Sequence, residues 1–264
     1  MTPNFNQITL STCDIARKAG KFIARERLGF DTSKVETKGL HNLVSYVDKE
    51  SEKQIIEQLQ KLLPDSGFMG EEGTSDSHGE RFNWIIDPLD GTTNFIQDVP
   101  IYAVSIGLMD GDELVSGIVY EVCRDECFYA WKNGGAYLNG TSIHVSKRSK
   151  INDSLLGTGF PYTDFDNLDE YVAFMKWAMT HARGVRRLGS AATDLAYVAC
   201  GRFDAFWEYK LKPWDVAAGV VIVKEAGGTV TDFKGGNNFL FGQEILASNG
   251  LLNDVLLSKI GVGV

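Results

Sequence analysis

Two carboxylates, Asp87 and Asp90, stand three residues apart directly after the apolar segment Trp84–Ile86. The apolar segment is typical of a buried strand. Pro88 fixes its own φ and Gly91 permits unusual torsions, so we expect a sharp turn that brings the two carboxylates together. Hard oxygen ligands beside the free N–H groups of a following helix suit a divalent cation together with a phosphate ester. The same residues also suit an ordinary hairpin turn.

Two further acidic positions lie at the ends of predicted elements. Glu71 and Glu72 follow a short predicted strand at residues 67–70, and Asp215 begins an apolar helix. Each has a simpler explanation, because Glu71 and Glu72 suit a solvated loop, whereas Asp215 and Thr92 suit helix caps. Taken together, carboxylate clusters at several element ends favour metal binding, since buried acidic groups cost stability unless a cation pairs with them.

Composition limits the class of protein. The chain has 264 residues, 44% of them hydrophobic and 23% charged, as in a globular protein with a large core. Its formal net charge of −9 argues against a nucleic-acid partner and requires cations to mediate binding of an anionic substrate. No apolar run approaches the roughly 20 residues of a membrane span, and the charged N-terminal region is unlike a signal peptide. We therefore expect a cytoplasmic protein with no membrane partner.

The cysteines do not predict a disulfide framework or a zinc site. Four cysteines are too sparse for disulfides in a chain of this length. Cys123 and Cys127 have no second Cys or His pair nearby, which disfavours zinc. We expect reduced, structural thiols.

Hydrophobic periodicity predicts helices, then strands, then alternating elements. Apolar residues between Ile8 and Ile23 have helical spacing, and a second helix is predicted from about Asp48 until Pro64 stops it. The later elements are predicted as strands at Ile101–Met109, Leu114–Tyr120, Phe128–Trp131, Val185–Leu188, Ala205–Tyr209, Thr229–Asp232 and Ile245–Ser248, and helices at Leu168–His181, Ala191–Cys200, Asp215–Ala226 and Leu251–Ile260. This order favours α and β layers within one compact unit.

The motifs resemble those of the inositol monophosphatase family of Mg²⁺-dependent, lithium-sensitive phosphatases. The family's Asp-Pro-hydrophobic-Asp-Gly-Thr-Thr-Asn-Phe run is intact, and its other motifs follow in order over nearly the whole chain. They lie at Gly70–Glu72, Asp87–Phe95, Gly189–Ala192, Glu208, Trp214–Gly219 and Glu225–Gly228. The resemblance implies a layered α+β or α/β, sugar-phosphatase-like fold with alternating α-β-α-β-α layers. It also implies one unit at 1–264, with subdomains at approximately 1–145 and 146–264.

The resemblance implies a metal centre with two or three Mg²⁺ per site. Glu71, Asp87 and the carbonyl of Leu89 would hold a first ion. Asp87, Asp90 and Asp215 would hold a second, with Asp87 as the bridge. Many accounts of the family add a third, weaker ion near Glu71. Few protein ligands per ion suffice, because Mg²⁺ keeps several of its waters.

The resemblance also implies that a metal-activated water attacks the phosphate. Thr92 and Glu71 would orient this water and help to remove its proton. Asp48 would support Thr92, although it also suits a helix cap, and we do not expect one side chain to fill both roles easily. The N–H groups of Gly91 and Thr92 would hold the phosphate.

Substrate hydroxyls would meet Glu208, Asp90 and the backbone of a nearby segment. That segment contains Gly189, Ser190 and Ala191. Relatives commonly have aspartate where this chain has Asn42, which puts the weaker metal site in doubt. Lys38 resembles a phosphate-proximal lysine of the family, and a solvated lysine is the alternative.

The leading hypothesis is a Mg²⁺-dependent phosphomonoesterase acting on myo-inositol monophosphate. Fructose 1,6-bisphosphatase, histidinol phosphatase and 3′-phosphoadenosine 5′-phosphate phosphatase are alternatives within the superfamily. The last is disfavoured by Thr93-Asn94, where its relatives usually have Lys-Glu. A regulatory binding protein on the same fold is the alternative of another class. The resemblance further implies a homodimer. The central meander and the helix at Leu168–His181 are the candidate interfaces, and the sequence does not choose between them.

Overall fold

The structure is a computed structural model that describes residues 4–30, 36–39, 42–75, 77–161 and 165–260, with side chains left undescribed at 36–39 and 42–44. The helices are α1 (Phe5–Leu28), α2 (Tyr46–Leu62), α3 (Thr92–Ile96), α4 (Leu168–His181), α5 (Ala191–Ala199), α6 (Pro213–Glu225) and α7 (Asn253–Ile260). The strands are β1 (Glu36–Gly39), β2 (Asn42–Val44), β3 (Gly67–Gly70), β4 (Phe82–Asp90), β5 (Ala103–Asp110), β6 (Glu113–Glu121), β7 (Glu126–Trp131), β8 (Gly135–Leu138), β9 (Thr141–Ile143), β10 (Leu155–Thr158), β11 (Gly184–Arg186), β12 (Ala205–Tyr209), β13 (Thr229–Thr231) and β14 (Glu244–Ser248).

The larger sheet of the described residues has the strand order β3-β4-β5-β6-β7-β8-β9. Strand β3 runs parallel to β4, and the other neighbours are antiparallel. Helices α1 and α2 cover one face of this sheet, because each has an apolar stripe that must be buried. In α1 the stripe includes Ile15, Ala19 and Ile23.

The smaller sheet has the strand order β11-β10-β12-β14-β13. Helices α5 and α6 lie between the two sheets, and α4 and α7 contact the smaller sheet from its other side. Helix α6 sits close to the larger sheet because Gly107 and Gly117 have no side chains there. A Cβ at Gly117 would lie 2.3 Å from the carbonyl oxygen of Ala218. The layers therefore alternate α-β-α-β-α, which confirms the predicted fold class.

The prediction of a turn after Ile86 is wrong, because β4 continues through Asp90. Side chains three residues apart on a regular strand point to opposite faces. Here Asp87 pairs with Ser105 and Asp90 pairs with Ala103, so β4 contains one extra residue in this interval. Such a bulge restores both carboxylates to one side, and Pro88 is tolerated there because it has no N–H to donate. The hairpin alternative is excluded.

Other differences are local. The second helix begins at Tyr46, with Ser45 as its N-cap, two residues before the predicted start at Asp48. The prediction also lacked the short strands β1, β2, β8 and β9. Lys38 and Asn42 fall in β1 and β2, whose side chains lie outside the described residues, so their roles stay predictions. In the part of the chain that the structure describes, none of the helices combines the length and apolar character needed to cross a bilayer.

Candidate active site

The bulge of β4 places two carboxylates next to a third from α6. One carboxylate oxygen from each of Asp87, Asp90 and Asp215 lies within 4.8 Å of the other two. Asp215 is in the first turn of α6, where its Oδ2 accepts a hydrogen bond of 2.6 Å from the N–H of Lys212. Asp215 therefore caps its helix with one oxygen, and this capping does not exclude it from the acidic cluster.

Asp90 is held by the N-terminus of α5. Its Oδ2 accepts hydrogen bonds from the Ser190 hydroxyl at 2.6 Å and from the N–H of Ala192 at 2.7 Å. Asp87 is held from within the bulge, because its Oδ1 accepts a hydrogen bond of 2.9 Å from the N–H of Leu89. Both carboxylates are buried, so these bonds fix the directions in which they point.

Glu71 reaches this cluster from the end of β3. Its N–H donates to the carbonyl of Ile86 at 3.2 Å, and its carboxyl group interacts with that of Asp87. The loop that follows is held by Glu52 of α2, which is fully buried. The Glu52 carboxylate accepts hydrogen bonds from the N–H of Glu72 at 2.9 Å, and from the N–H and hydroxyl of Thr74 at 2.8 and 2.6 Å.

Asp48 connects α2 to the bulge. Its Oδ2 accepts hydrogen bonds from the N–H and the hydroxyl of Ser45, at 2.8 and 2.6 Å, and so completes the capping box of α2. Its Oδ1 accepts a hydrogen bond of 2.9 Å from the Thr92 hydroxyl. One side chain therefore fills both roles, one with each oxygen, contrary to the expectation that they would conflict.

Burial and mutual repulsion raise the pKa values of the carboxyl groups in the acidic cluster, so the cluster favours bound protons or cations. Burial raises the pKa of Glu71 to about 8, and repulsion from Asp215 and Glu72 adds to it. Burial likewise raises the pKa of Asp215 to about 7, with repulsion from Asp90. Burial and repulsion from Glu71 raise the pKa of Asp87 well above its usual range. A divalent cation fits this donor set, because hard carboxylate oxygens at close range are its preferred ligands.

Hydrogen bonds from helix α5 partly offset the rise in the pKa of Asp90. Burial raises the pKa of Asp90 to about 6, and the hydrogen bonds from Ser190 and Ala192 act in the opposite direction. These donors favour the ionised carboxylate. Asp90 is thus prepared to remain charged beside a cation.

A cavity of about 330 Å³ is lined by the acidic cluster and by Glu208 on β12. Gly159 makes room for Glu208, since a Cβ there would lie 1.9 Å from the Glu208 Oε2 atom. Burial, with repulsion from Asp215, raises the pKa of Glu208 well above its usual range, while Arg187 lowers it. A cavity of this size with convergent polar groups is suited to a small molecule.

The structure brings the predicted site residues together. Asp48 lies behind Thr92, and the others line the cavity: Glu71, Asp87, Leu89, Asp90, Gly91, Thr92, Gly189, Ser190, Ala191, Glu208 and Asp215. Gly91 and Gly189 have φ of 95° and 89°, which favours glycine at both positions. The backbone around Ser190 was predicted to contact substrate, and the Ser190 hydroxyl itself donates a hydrogen bond to Asp90.

Sequence reasoning missed Glu52, Asp194 and Arg187. Glu52 had a signal, because it lies one turn after Asp48 on the buried face of α2, where an unpaired acidic residue is unusual. Asp194 had the same signal within the apolar helix α5. Arg187 lines the cavity with its guanidinium 5.6 Å from the Phe160 ring, and its position had no sequence signal.

Comparisons with known proteins agree with the site. A model of the inositol monophosphatase family matches residues 5–261. The Pseudomonas aeruginosa protein named Nus factor SuhB is 44% identical over 250 residues, covering 93% of this chain and 92% of that protein. An inositol-1-monophosphatase of Mesorhizobium japonicum is 39% identical over 246 residues, with the same two coverages.

Solved structures show the same likeness. The extragenic suppressor protein suhB from Bartonella henselae gives a TM-score of 0.92 at 37% identity, covering 98% of this chain and 100% of that one. The Thermotoga maritima IMPase gives a TM-score of 0.86 at 36% identity, covering 95% of each chain.

Proposed function

The chain belongs to the inositol monophosphatase family, and from this membership and the site geometry we propose that it is a Mg²⁺-dependent phosphomonoesterase that hydrolyses myo-inositol monophosphate to inositol and phosphate. The family resemblance seen in the motifs is confirmed, and the chain is a phosphatase. The observation that carries the proposal is the convergence of Asp87, Asp90 and Asp215 in the wall of a cavity that Glu208 also lines.

The acidic cluster would hold two or three Mg²⁺ ions. Glu71, Asp87 and the Leu89 carbonyl are the proposed ligands of one ion, and Asp87, Asp90 and Asp215 those of another. When bound, Mg²⁺ lowers the pKa of a coordinated water and offsets the negative charge of the phosphoryl group. The proposal is supported by the repulsion within the cluster, which a cation relieves.

Thr92 and Asp48 would orient the attacking water. The Thr92 hydroxyl donates a hydrogen bond to Asp48 Oδ1, so the lone pairs of Thr92 Oγ1 remain to accept a hydrogen bond from that water. Glu71 is the proposed acceptor of the water's second proton. The N–H groups of Gly91 and Thr92, at the entrance to α3, are the proposed phosphate contacts.

Glu208 and Asp90 would bind hydroxyl groups of the polyol, because carboxylates accept such hydrogen bonds well. Ser190 would act on the polyol indirectly, because its hydroxyl donates a hydrogen bond to Asp90. Backbone groups of Gly189 and Ala191 line the same cavity and are the remaining proposed contacts.

The test is phosphate release with Mg²⁺ from inositol 1-phosphate, fructose 1,6-bisphosphate, histidinol phosphate and 3′-phosphoadenosine 5′-phosphate. We expect the highest kcat/KM for inositol 1-phosphate, and preference for another ester would reassign the substrate. Asp87→Asn should abolish turnover while the far-UV CD spectrum stays unchanged. The matched control is Asp153→Asn, since Asp153 is half-exposed and pairs with Arg183 away from the cavity. Turnover that survives Asp87→Asn contradicts the assignment of the active site.

A second candidate function is that of a Nus factor, which is supported by the name of the 44% identical Pseudomonas aeruginosa relative. Replacement of that relative's gene by this one, with and without Asp87→Asn, separates the two functions. Growth restored by both forms supports a role that does not need phosphate release. Growth restored by neither form argues against the Nus-factor role for this chain.

A homodimer completes the proposal, with α4 as its interface. Leu168, Val172 and Met179 are 40%, 51% and 65% exposed and recur at helical spacing on this helix. A stripe of exposed apolar side chains is typical of an interaction surface.

A further inference from the structure

A second cavity, called here the outer cavity, lies where α4, α7 and the end of β12 meet the segment after β13. Its volume is about 220 Å³, and it has no part in the proposed mechanism. Its wall is formed mainly by aromatic and charged side chains, which include Glu170, Tyr171, Tyr209, Phe233, Lys234 and Glu244. Among the described residues of this wall, only Tyr209 also lines the cavity of the acidic cluster.

Strand β12 separates the two cavities. Glu208 and Tyr209 are adjacent on this strand, so their side chains point to opposite faces of the smaller sheet. Glu208 lines the cavity of the acidic cluster, whereas Tyr209 packs with Tyr171 in the apolar cluster beneath α4 and α7. The outer cavity is therefore a separate place on the molecule.

The wall of the outer cavity offers aromatic rings to a ligand. The rings of Tyr171 and Tyr209 have their centroids 4.7 Å apart and are inclined by 48°, and the half-buried Phe233 adds a third ring. The Tyr171 hydroxyl donates to the carbonyl of Gly159 at 2.8 Å and lies 2.7 Å from the Thr158 hydroxyl, which leaves its ring for a ligand. Aromatic faces attract cations.

The charges of this wall also favour a cation. Glu170 and Glu244 are half-buried, and within the described part of the chain neither side chain has a hydrogen bond or a salt bridge. Lys234 is exposed. Burial raises the pKa of Glu244 and Lys234 lowers it, while Asp232 and Lys210, outside the wall, act in opposite directions. Two half-buried carboxylates and one exposed ammonium give the wall a net negative charge.

We propose that the outer cavity binds a small alkylammonium ion whose charge is shielded by methyl groups. The methyl groups would pack against Tyr171, Tyr209 and Phe233, with the charge beside Glu170 and Glu244. An ammonium with several N–H groups fits less well, because aromatic rings do not replace the hydrogen bonds that it loses to water. A volume below that of drug-sized pockets limits the ligand to a small molecule.

The experiment is an NMR titration that follows the methyl signals of choline and of 3,3-dimethylbutan-1-ol. In the second compound a carbon atom replaces the charged nitrogen, so the two differ in charge at nearly equal shape. We expect choline to bind and the neutral compound to bind at least about tenfold more weakly. Glu244→Gln should weaken choline binding about tenfold, and Phe233→Leu about twofold to fivefold.

Two control variants show where the cation binds. Asp169→Asn removes a charge from an exposed residue that adjoins Glu170 in α4 and does not line the outer cavity, so choline binding should change less than twofold. Asp87→Asn changes the acidic cluster of the other cavity and should also leave choline binding unchanged.

The outcomes decide the inference without reference to the phosphatase, because binding is measured with no substrate present. Equal binding of choline and the neutral compound, or binding of neither, overturns it. Choline binding that is lost in Asp87→Asn and kept in Glu244→Gln also overturns it, because the cation then occupies the acidic cluster. Weaker binding in Glu244→Gln, at an unchanged melting temperature, supports it even if Phe233→Leu proves unstable.

Discussion

Glu52 contacts no part of the cavity, yet its replacement by alanine should weaken Mg²⁺ binding. Glu52 accepts three hydrogen bonds from Glu72 and Thr74, which directly follow Glu71 in the same loop. Gly70 packs directly against Glu52, since a Cβ there would lie 2.4 Å from the Glu52 Oε2 atom. Without Glu52 the loop loses the hydrogen bonds that hold it. Mg²⁺ binding would then have to order Glu71 at a cost in free energy, which weakens the binding.

The size of the effect follows from these bonds. A hydrogen bond to a charged group contributes about 1.5–3 kcal/mol, but the loop is partly exposed and water replaces much of that. A net cost of about 2 kcal/mol for ordering the loop corresponds to roughly thirtyfold weaker Mg²⁺ binding. Glu52→Gln keeps one carbonyl acceptor and should lie between the wild type and Glu52→Ala.

The assay measures phosphate release against Mg²⁺ concentration, with the melting temperature recorded in EDTA. Glu57→Ala is the matched control, because Glu57 is an exposed residue of the same helix α2. Its Mg²⁺ midpoint should equal that of the wild type. A Glu52→Ala protein that melts earlier but keeps the wild-type Mg²⁺ midpoint would refute the positioning role and leave only a structural one.

Three further outcomes test other parts of the structure. Thr92→Val should lower kcat by about a hundredfold with little change in KM, and Thr92→Ser should restore most of it; equal loss in both variants would contradict the hydroxyl's role. In EDTA, the melting temperature should fall as pH rises from about 5 to 8. The pKa values of Glu71 and Asp215 are higher in the folded than in the unfolded state, so the stability that their protonated forms contribute is lost as pH rises through those values. Saturating Mg²⁺ should flatten this slope, and a flat profile in EDTA would contradict the raised pKa values of the cluster. Met179→Glu should halve the mass measured by light scattering if α4 forms the dimer, whereas a monomeric wild type would exclude the proposed interface.

The chemistry of the site could be predicted from sequence better than its geometry. Asp87, Asp90 and Asp215 were identifiable because acidic residues at the ends of apolar elements need a partner, and the structure does bring them together. The turn between Asp87 and Asp90 was not identifiable, because a bulge depends on pairing with β5, which local sequence does not encode. Glu52 was missed for a related reason: its partners, Glu72 and Thr74, lie 20 and 22 residues further along the chain.

Helix α5 both holds Asp90 and contributes Asp194 to the cavity wall. Its N-cap Ser190 and the N–H of Ala192 fix Asp90 at the acidic cluster, and one turn later Asp194 faces the same cavity beside Glu208. Because a helix is rigid over one turn, the spacing between the groups that hold Asp90 and the Asp194 side chain is fixed by backbone geometry. A shift of α5 along its axis would therefore displace Asp90, a proposed metal ligand, and the cavity wall at Asp194 together.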